Sequence, residues 1–160
     1  MPDTTMSRLM LIQVLGVASL ALILIPAGAH LFSLASKMRL PPDQYMTAQR
    51  AYDAWALFGI AIAAAVVLTA VHTWLVFDRT PAMLLSSLAC LGVLATQVIF
   101  WLYTYPMNVA SSNWTAMPDN FEAARRQWEY SHAASAVILF AVLLAFVLSA
   151  LLADSRQAEA

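Results

Sequence analysis

Residues 133–153 read AASAVILFAVLLAFVLSALLA, a run with no charge and with two serines as its only polar side chains. A helix that crosses a bilayer needs about 20 mostly apolar residues, because each residue rises ~1.5 Å across a hydrocarbon core of ~30 Å. This run meets the requirement. Working back along the chain, Leu9–Ala29, Ala54–Phe77 and Met83–Tyr105 meet it too. None of them alternates polar and apolar residues as a membrane barrel of about eight strands demands. Composition agrees: of 160 residues, 62% are hydrophobic and 11% charged, against ~25% charged in a soluble domain. The reading is all-α: one four-span membrane domain over residues 1–160, with lipid as its first partner.

The first span has an alternative. Pro26-Ala27-Gly28-Ala29 has the small-residue pattern of a signal-peptide cleavage site, and cleavage after Ala29 would leave three spans. The apolar stretch Leu9–Ile25 is longer than the usual ~7–15 residues of such a signal, which favours a retained helix. The formal net charge of −1 gives no reason to expect a nucleic-acid partner. The single cysteine, Cys90, excludes an intrachain disulfide.

The connections are unequal. Loop 2, Asp78–Ala82, is a tight polar turn that makes the second and third spans antiparallel neighbours. Loop 1 (Leu31–Asp53) and loop 3 (Pro106–His132) are long and lie on the same face. In loop 1, Pro41-Pro42-Asp43 is a break followed by a helix start, and Gln44–Trp55 is expected to run straight into the second span. In loop 3, Asp119 with Glu122 three residues on reads as a capping box. The helix begun there should run on to Ala153, a length of ~50 Å, and carry Arg125, Arg126, Trp128 and Glu129 out of the membrane. Lys37, Arg39, Arg50, Arg125 and Arg126 lie on this face, against Arg8, Arg79 and Arg156 on the other. A literal positive-inside count puts loops 1 and 3 in the cytoplasm. Basic residues that line a site are poor topology markers, so orientation stays open.

Residues three, four and seven apart share a helix face. In the third span, Gln97, Trp101, Thr104 and Asn108 form one narrow polar stripe. Tyr45, Gln49 and Tyr52 make another, continued by the small residues Ala56, Gly59 and Ala63. Arg125, Glu129 and His132 align on the fourth helix, and Gly16, Ser19, Ala27 and His30 on the first. All four stripes grow more polar toward loops 1 and 3. Ionisable groups within a bilayer usually face the bundle interior or water, so the convergence predicts a cup at that face. Its lining would be His30, Gln49, Tyr52, Gln97, Trp101, Asn108, Arg125, Trp128 and His132. The plainer readings are an interfacial aromatic belt, close helix packing at the small residues, and a simple i,i+4 pair of Arg125 with Glu129. His72, toward the other end, reads as an interhelical hydrogen-bonding group.

Among chemistries, a haem or metal bridged between His30 and His132 is conceivable, although two histidines are a weak ligand set. Glu129-x-x-His132 has di-iron spacing, but no span contains the further carboxylates such a site needs. A site without cofactor fits better. Arginine and histidine beside Tyr, Trp, Asn and Gln could hold an aromatic or quinone-like ligand, with Arg125 or Arg126 stabilising an enolate and His132 or His30 taking the proton.

Pro106-Met107-Asn108, then Asn113-Trp114-Thr115, then Arg125-Arg126-Gln127-Trp128-Glu129-Tyr130-Ser131-His132 resemble a family of small four-span membrane proteins called anthrone-oxygenase-like. The family pattern is a Pro-x-Asn after the third span and an Arg-x-x-Trp-x-x-x-His run into the fourth, here Arg125, Trp128 and His132. Loop 1 is similar to a bacterial branch of it. The resemblance implies oxidation of anthrones to anthraquinones without metal or flavin, and a bacterial inner-membrane location. It implies His132, Arg125 and Asn108 as catalytic residues, beside His30 from the helix-face reading, and it adds Trp114 to the ligand-binding candidates Gln49, Tyr52, Gln97, Trp101 and Trp128. The sequence departs from the family in lacking the arginine that often follows the histidine, for Ala133–Ser135 stand there.

Overall fold

The computed structural model describes residues 4–53 and 55–155. Its elements are α1 (Thr4–Lys37), α2 (Pro42–Gln49), two 3-10 turns (Arg50–Tyr52 and Trp55–Leu57), α3 (Phe58–Leu75), α4 (Thr80–Ile99), a π-helical turn (Phe100–Thr104), α5 (Tyr105–Ala110) and α6 (Phe121–Ser155). Four stretches are long and apolar enough to cross a membrane: Arg8–Lys37, Trp55–Leu75, Thr80–Ala110 and Phe121–Asp154. The protein is a multi-pass membrane protein of the all-α, four-helix-bundle class. Each long helix touches two others, α1 against α3 and α6, and α4 against α3 and α6, which closes a ring around one core.

That core is built from one face of each helix. Leu20, Ile23 and Ala27 come from α1, Ala61 and Ala65 from α3, Ala89 and Val93 from α4, and Ala136, Leu139, Val142 and Phe146 from α6. Between 22% and 39% of each apolar window is buried. The remainder, including Met10, Ile25, Ile60, Val67, Leu91 and Val137, is exposed on the outside. A soluble monomer rarely shows so much contiguous apolar surface, whereas lipid solvates it.

Two glycines let the helices close on each other. A Cβ at Gly16 would lie 2.5 Å from Cζ of the fully buried Phe146, and one at Gly92 would strike the Val142 side chain. At the loop-2 end, His72 Nδ1 and Ser86 Oγ are 3.0 Å apart, the interhelical hydrogen bond expected of that histidine. Nearby, Arg79 donates to the Ala153 carbonyl and Gln13 to Asp154 Oδ1 at 3.2 Å.

The boundaries differ from the expectation in three places. First, α1 runs on to Lys37, so the candidate cleavage sequence lies inside a continuous helix. Ser33 and Ser36 point their hydroxyls back at the Ala29 and Ser33 carbonyls, which lets a polar stretch continue the helix rather than open a loop. Second, Gln44–Trp55 does not run straight into the second span. Two 3-10 turns intervene, and Ala54, its expected first residue, lies outside the described residues. Tighter turns rotate the face, so Ala56, Gly59 and Ala63 point outward while Ala61, Ala65 and Thr69 point in. Third, α6 starts at Phe121, its first turn closed from Ala124 N–H to the Asn120 carbonyl. Glu122 is paired with Arg125, so the expected capping box with Asp119 is not formed. The 35 residues of α6 span about 50 Å, as the sequence indicates.

Candidate functional site

The loop-1/loop-3 end holds an ion pair sealed from solvent. Lys37 Nζ lies 2.7 Å from Glu129 Oε1, with side-chain exposures of 6% and 0%. Lys37 is the last residue of α1 and sits two turns beyond His30, so both share a face; its ammonium donates to His30 Nδ1 at 3.3 Å. On the other side, the Tyr45 hydroxyl donates to the same Glu129 oxygen at 2.9 Å, and the Gln49 amide donates to the Tyr45 oxygen at 2.5 Å. Tyr45 and Gln49 are one turn apart on α2. The chain Gln49–Tyr45–Glu129–Lys37–His30 thus joins three helices through five polar groups.

Aromatic rings enclose it. His30 and His132 stack at 4.2 Å, with Trp128 4.3 Å from His132 and 4.9 Å from His30. Tyr52 lies 4.4 Å from His30, and Trp55 5.6 Å. Lys37 Nζ is 5.1 Å from both the Tyr52 and Trp128 ring centres, a cation–π arrangement that offsets part of its desolvation. Asn108 Oδ1 accepts from Trp128 Nε1 at 2.7 Å and fixes that indole. Arg125 is buried and clamped, donating to the Leu40 carbonyl at 2.9 Å and to Glu122 Oε2 at 2.6 Å.

Trp114 covers the cluster from loop 3. It is buried between Tyr45 and Trp128, at 5.3 and 5.6 Å, and its backbone N–H donates to Ser111 Oγ. To reach that position, Ser112, Asn113 and Trp114 take φ of 49°, 54° and 62°. This region is costly for a bulky residue, and such strain gathers at functional sites.

Four buried polar atoms here have no hydrogen-bond partner among the described residues: Gln49 Oε1, Glu129 Oε2, Trp114 Nε1 and Arg125 Nε. Each belongs to a residue that bonds to Tyr45 or lies against its ring. Two are acceptors and two are donors. Burial, followed by the charge of Glu129 and the hydrogen bond to it, pushes the Tyr45 phenol well above its ordinary value of about 10. The sign follows from linkage. Folding favours the neutral phenol, so this contribution is complete below pH ~10 and is lost as pH rises above it, where the unfolded chain ionises. Tyr45→Phe is expected to flatten the alkaline limb of the stability curve, measured by melting in detergent between pH 8 and 11.

His30, His132, Asn108, Arg125, Gln49, Tyr52, Trp114 and Trp128 are therefore brought together. Two candidates are not. Trp101 is 59% exposed, against Phe100 and Tyr105, and the half-buried Gln97 bonds its neighbour Thr96. The π turn at Phe100–Thr104 breaks the α register on which their stripe is drawn; of that stripe Thr104 does face inward, bonded to Ser131 at 2.7 Å, while upstream Thr96 is buried in place of Gln97. Nor is the site an open cup, since rings fill it. Arg125 pairs with Glu122 rather than Glu129. Sequence reasoning missed Lys37, Glu129 and Tyr45 as one group; the available signal was the seven-residue spacing of His30 and Lys37.

The stacked imidazoles, 4.2 Å apart and inclined by 25°, leave no space between them for a porphyrin. Among the described residues, no three His, Cys, Asp or Glu side chains gather into a ligand set. Against known proteins, the chain matches no family model, no curated protein and no solved structure.

Proposed function

We propose that this membrane protein binds a small aromatic, quinone-like molecule at the Lys37–Glu129 cluster and exchanges a proton with it. The observation that carries this reading is the buried ion pair, tied to His30 and Tyr45 and ringed by four unpartnered polar atoms. A buried ion pair adds little to fold stability, because desolvation offsets its Coulomb gain. Within a membrane bundle, such groups mark functional sites. Tyr52 and Trp55, both half-exposed and beside His30 on irregular turns, are the rings a flat ligand would replace without moving α1 or α6. Its oxygens would meet the free donors of Trp114 and Arg125, and its hydroxyls the free acceptors of Gln49 and Glu129.

The anthrone-oxygenase-like resemblance supplies a reaction of matching chemistry. An anthrone methylene becomes a carbonyl with one O2 consumed, one oxygen entering the quinone and the other leaving as water. His132 or His30 would take the first proton, and Lys37 would offset charge on the developing enolate oxygen. Purified protein incubated with anthrones or reduced quinones is expected to take up oxygen, with His132→Ala slower by about a hundredfold, the scale of a lost general base. Equal rates in wild type, His132→Ala and His30→Ala would overturn the proposal.

A second reading has its own observation. The rings already touch one another, and Arg125 ties α6 to the turn after α1 through the Leu40 carbonyl. On that reading the cluster is a non-catalytic clamp, and no anthrone or quinone raises the melting temperature of the wild type.

A further inference from the structure

On the outer side of the same end, a groove of about 550 Å3 runs between α6 and the α4–π junction. Its membrane-ward end is Ile99 and Ala134, and its outer end is Tyr103, Ala123 and Arg126, with Tyr130 along the wall. Beside it the exposed Gln127 amide donates to the Tyr103 carbonyl at 3.0 Å, which ties α6 to the π turn. Arg126 is exposed and forms no ion pair with any described residue, whereas its neighbour Arg125 is buried and paired. An apolar channel facing lipid thus ends in one uncommitted guanidinium between two tyrosines.

We propose that this groove binds an anionic phospholipid. The phosphate would sit on the Arg126 guanidinium, which matches two phosphate oxygens at once. One acyl chain would lie along Ile99 and Ala134, with Tyr103 and Tyr130 at headgroup level, where such rings are favoured. Charge decides between occupants. A neutral lipid fills the apolar part equally well but leaves the guanidinium unanswered, and basic grooves between spanning helices are suited to anionic heads.

The test titrates delipidated protein in neutral detergent with phosphatidylglycerol, phosphatidylcholine or inorganic phosphate, and counts bound molecules by native mass spectrometry. Phosphatidylglycerol is expected to bind about fivefold more tightly than phosphatidylcholine, the weight of one surface cation. Arg126→Gln should abolish that preference, and Ala134→Trp should weaken both lipids by filling the apolar end. Arg39→Gln, at an exposed arginine outside the groove, should change nothing. Because Arg126 has no ion-pair partner among the described residues, its variant should melt as the wild type does. The proposal falls if Arg126→Gln keeps the preference, if Arg39→Gln loses it equally, or if inorganic phosphate displaces the lipid at equal concentration.

Discussion

Glu129→Gln is expected to destabilise the bundle by about 3–5 kcal/mol, the cost of removing one partner from a buried ion pair. Lys37 would be left buried without its ion-pair partner, among Tyr52, Trp128 and His30. Tyr45 would lose the acceptor of its 2.9 Å hydrogen bond. Denaturation by SDS titration in mixed micelles reads the effect. Lys37→Met alone should cost a similar amount by stranding the carboxylate. The double variant should recover much of the loss, because neighbours sharing one interaction are not additive. That recovery separates stability from function: a double variant that folds yet shows no melting shift with a quinone, where wild type does, places the ligand on this pair. If all three variants matched the wild type in stability, Lys37 and Glu129 would not be a buried, mutually dependent pair.

The second large effect concerns close helix contact. Gly16→Ala and Gly92→Ala are each expected to cost about 1–3 kcal/mol, the usual penalty for overfilling a packed core. The added methyl at Gly16 meets the Phe146 ring, which is fully buried and lies against His72 at 4.9 Å. At Gly92 it meets the branched Val142. Gly28 and Gly59 have nothing within 4 Å of a built Cβ. Alanine there should be neutral or stabilising by up to ~1 kcal/mol, from helix propensity alone. Four melting curves in one detergent test the contrast. If all four variants behave alike, α1 and α4 do not close on α6 at these glycines.

The spans are legible because lipid imposes one simple rule, a long apolar run, and the few buried polar residues such as His72 and Ser86 do not interrupt it. The inward face of α1 is legible too, since Gly16, Ser19, Ala27 and His30 lie on unbroken α-helix and all are buried. Legibility fails wherever the helix ceases to be α. Trp101 and the Ala56–Gly59–Ala63 stripe are misplaced by a 3.6-residue period carried through a π turn and two 3-10 turns, and the period survives neither. Lys37 is hidden differently. Basic residues near span ends usually mark topology, and only three-dimensional contact with α6 shows that this one is buried against Glu129. The stacking of His30 on His132 likewise depends on the separation of α1 and α6, which no local pattern encodes.

The π turn at Phe100–Thr104 has one more consequence. Such a turn absorbs one extra residue without breaking the rod; in a plain α-helix that residue would swing everything downstream by ~100°. One face of the rod thus stays on α6: below the turn Gly92 lies against Val142, and above it Thr104 bonds Ser131 and Asn108 holds the Trp128 indole. Deleting one residue within 100–104 would leave a helix still long enough to span but would swing Asn108 away from Trp128. The insertion works as an angular coupling, keeping the membrane-spanning half and the site half of one helix turned toward the same partner.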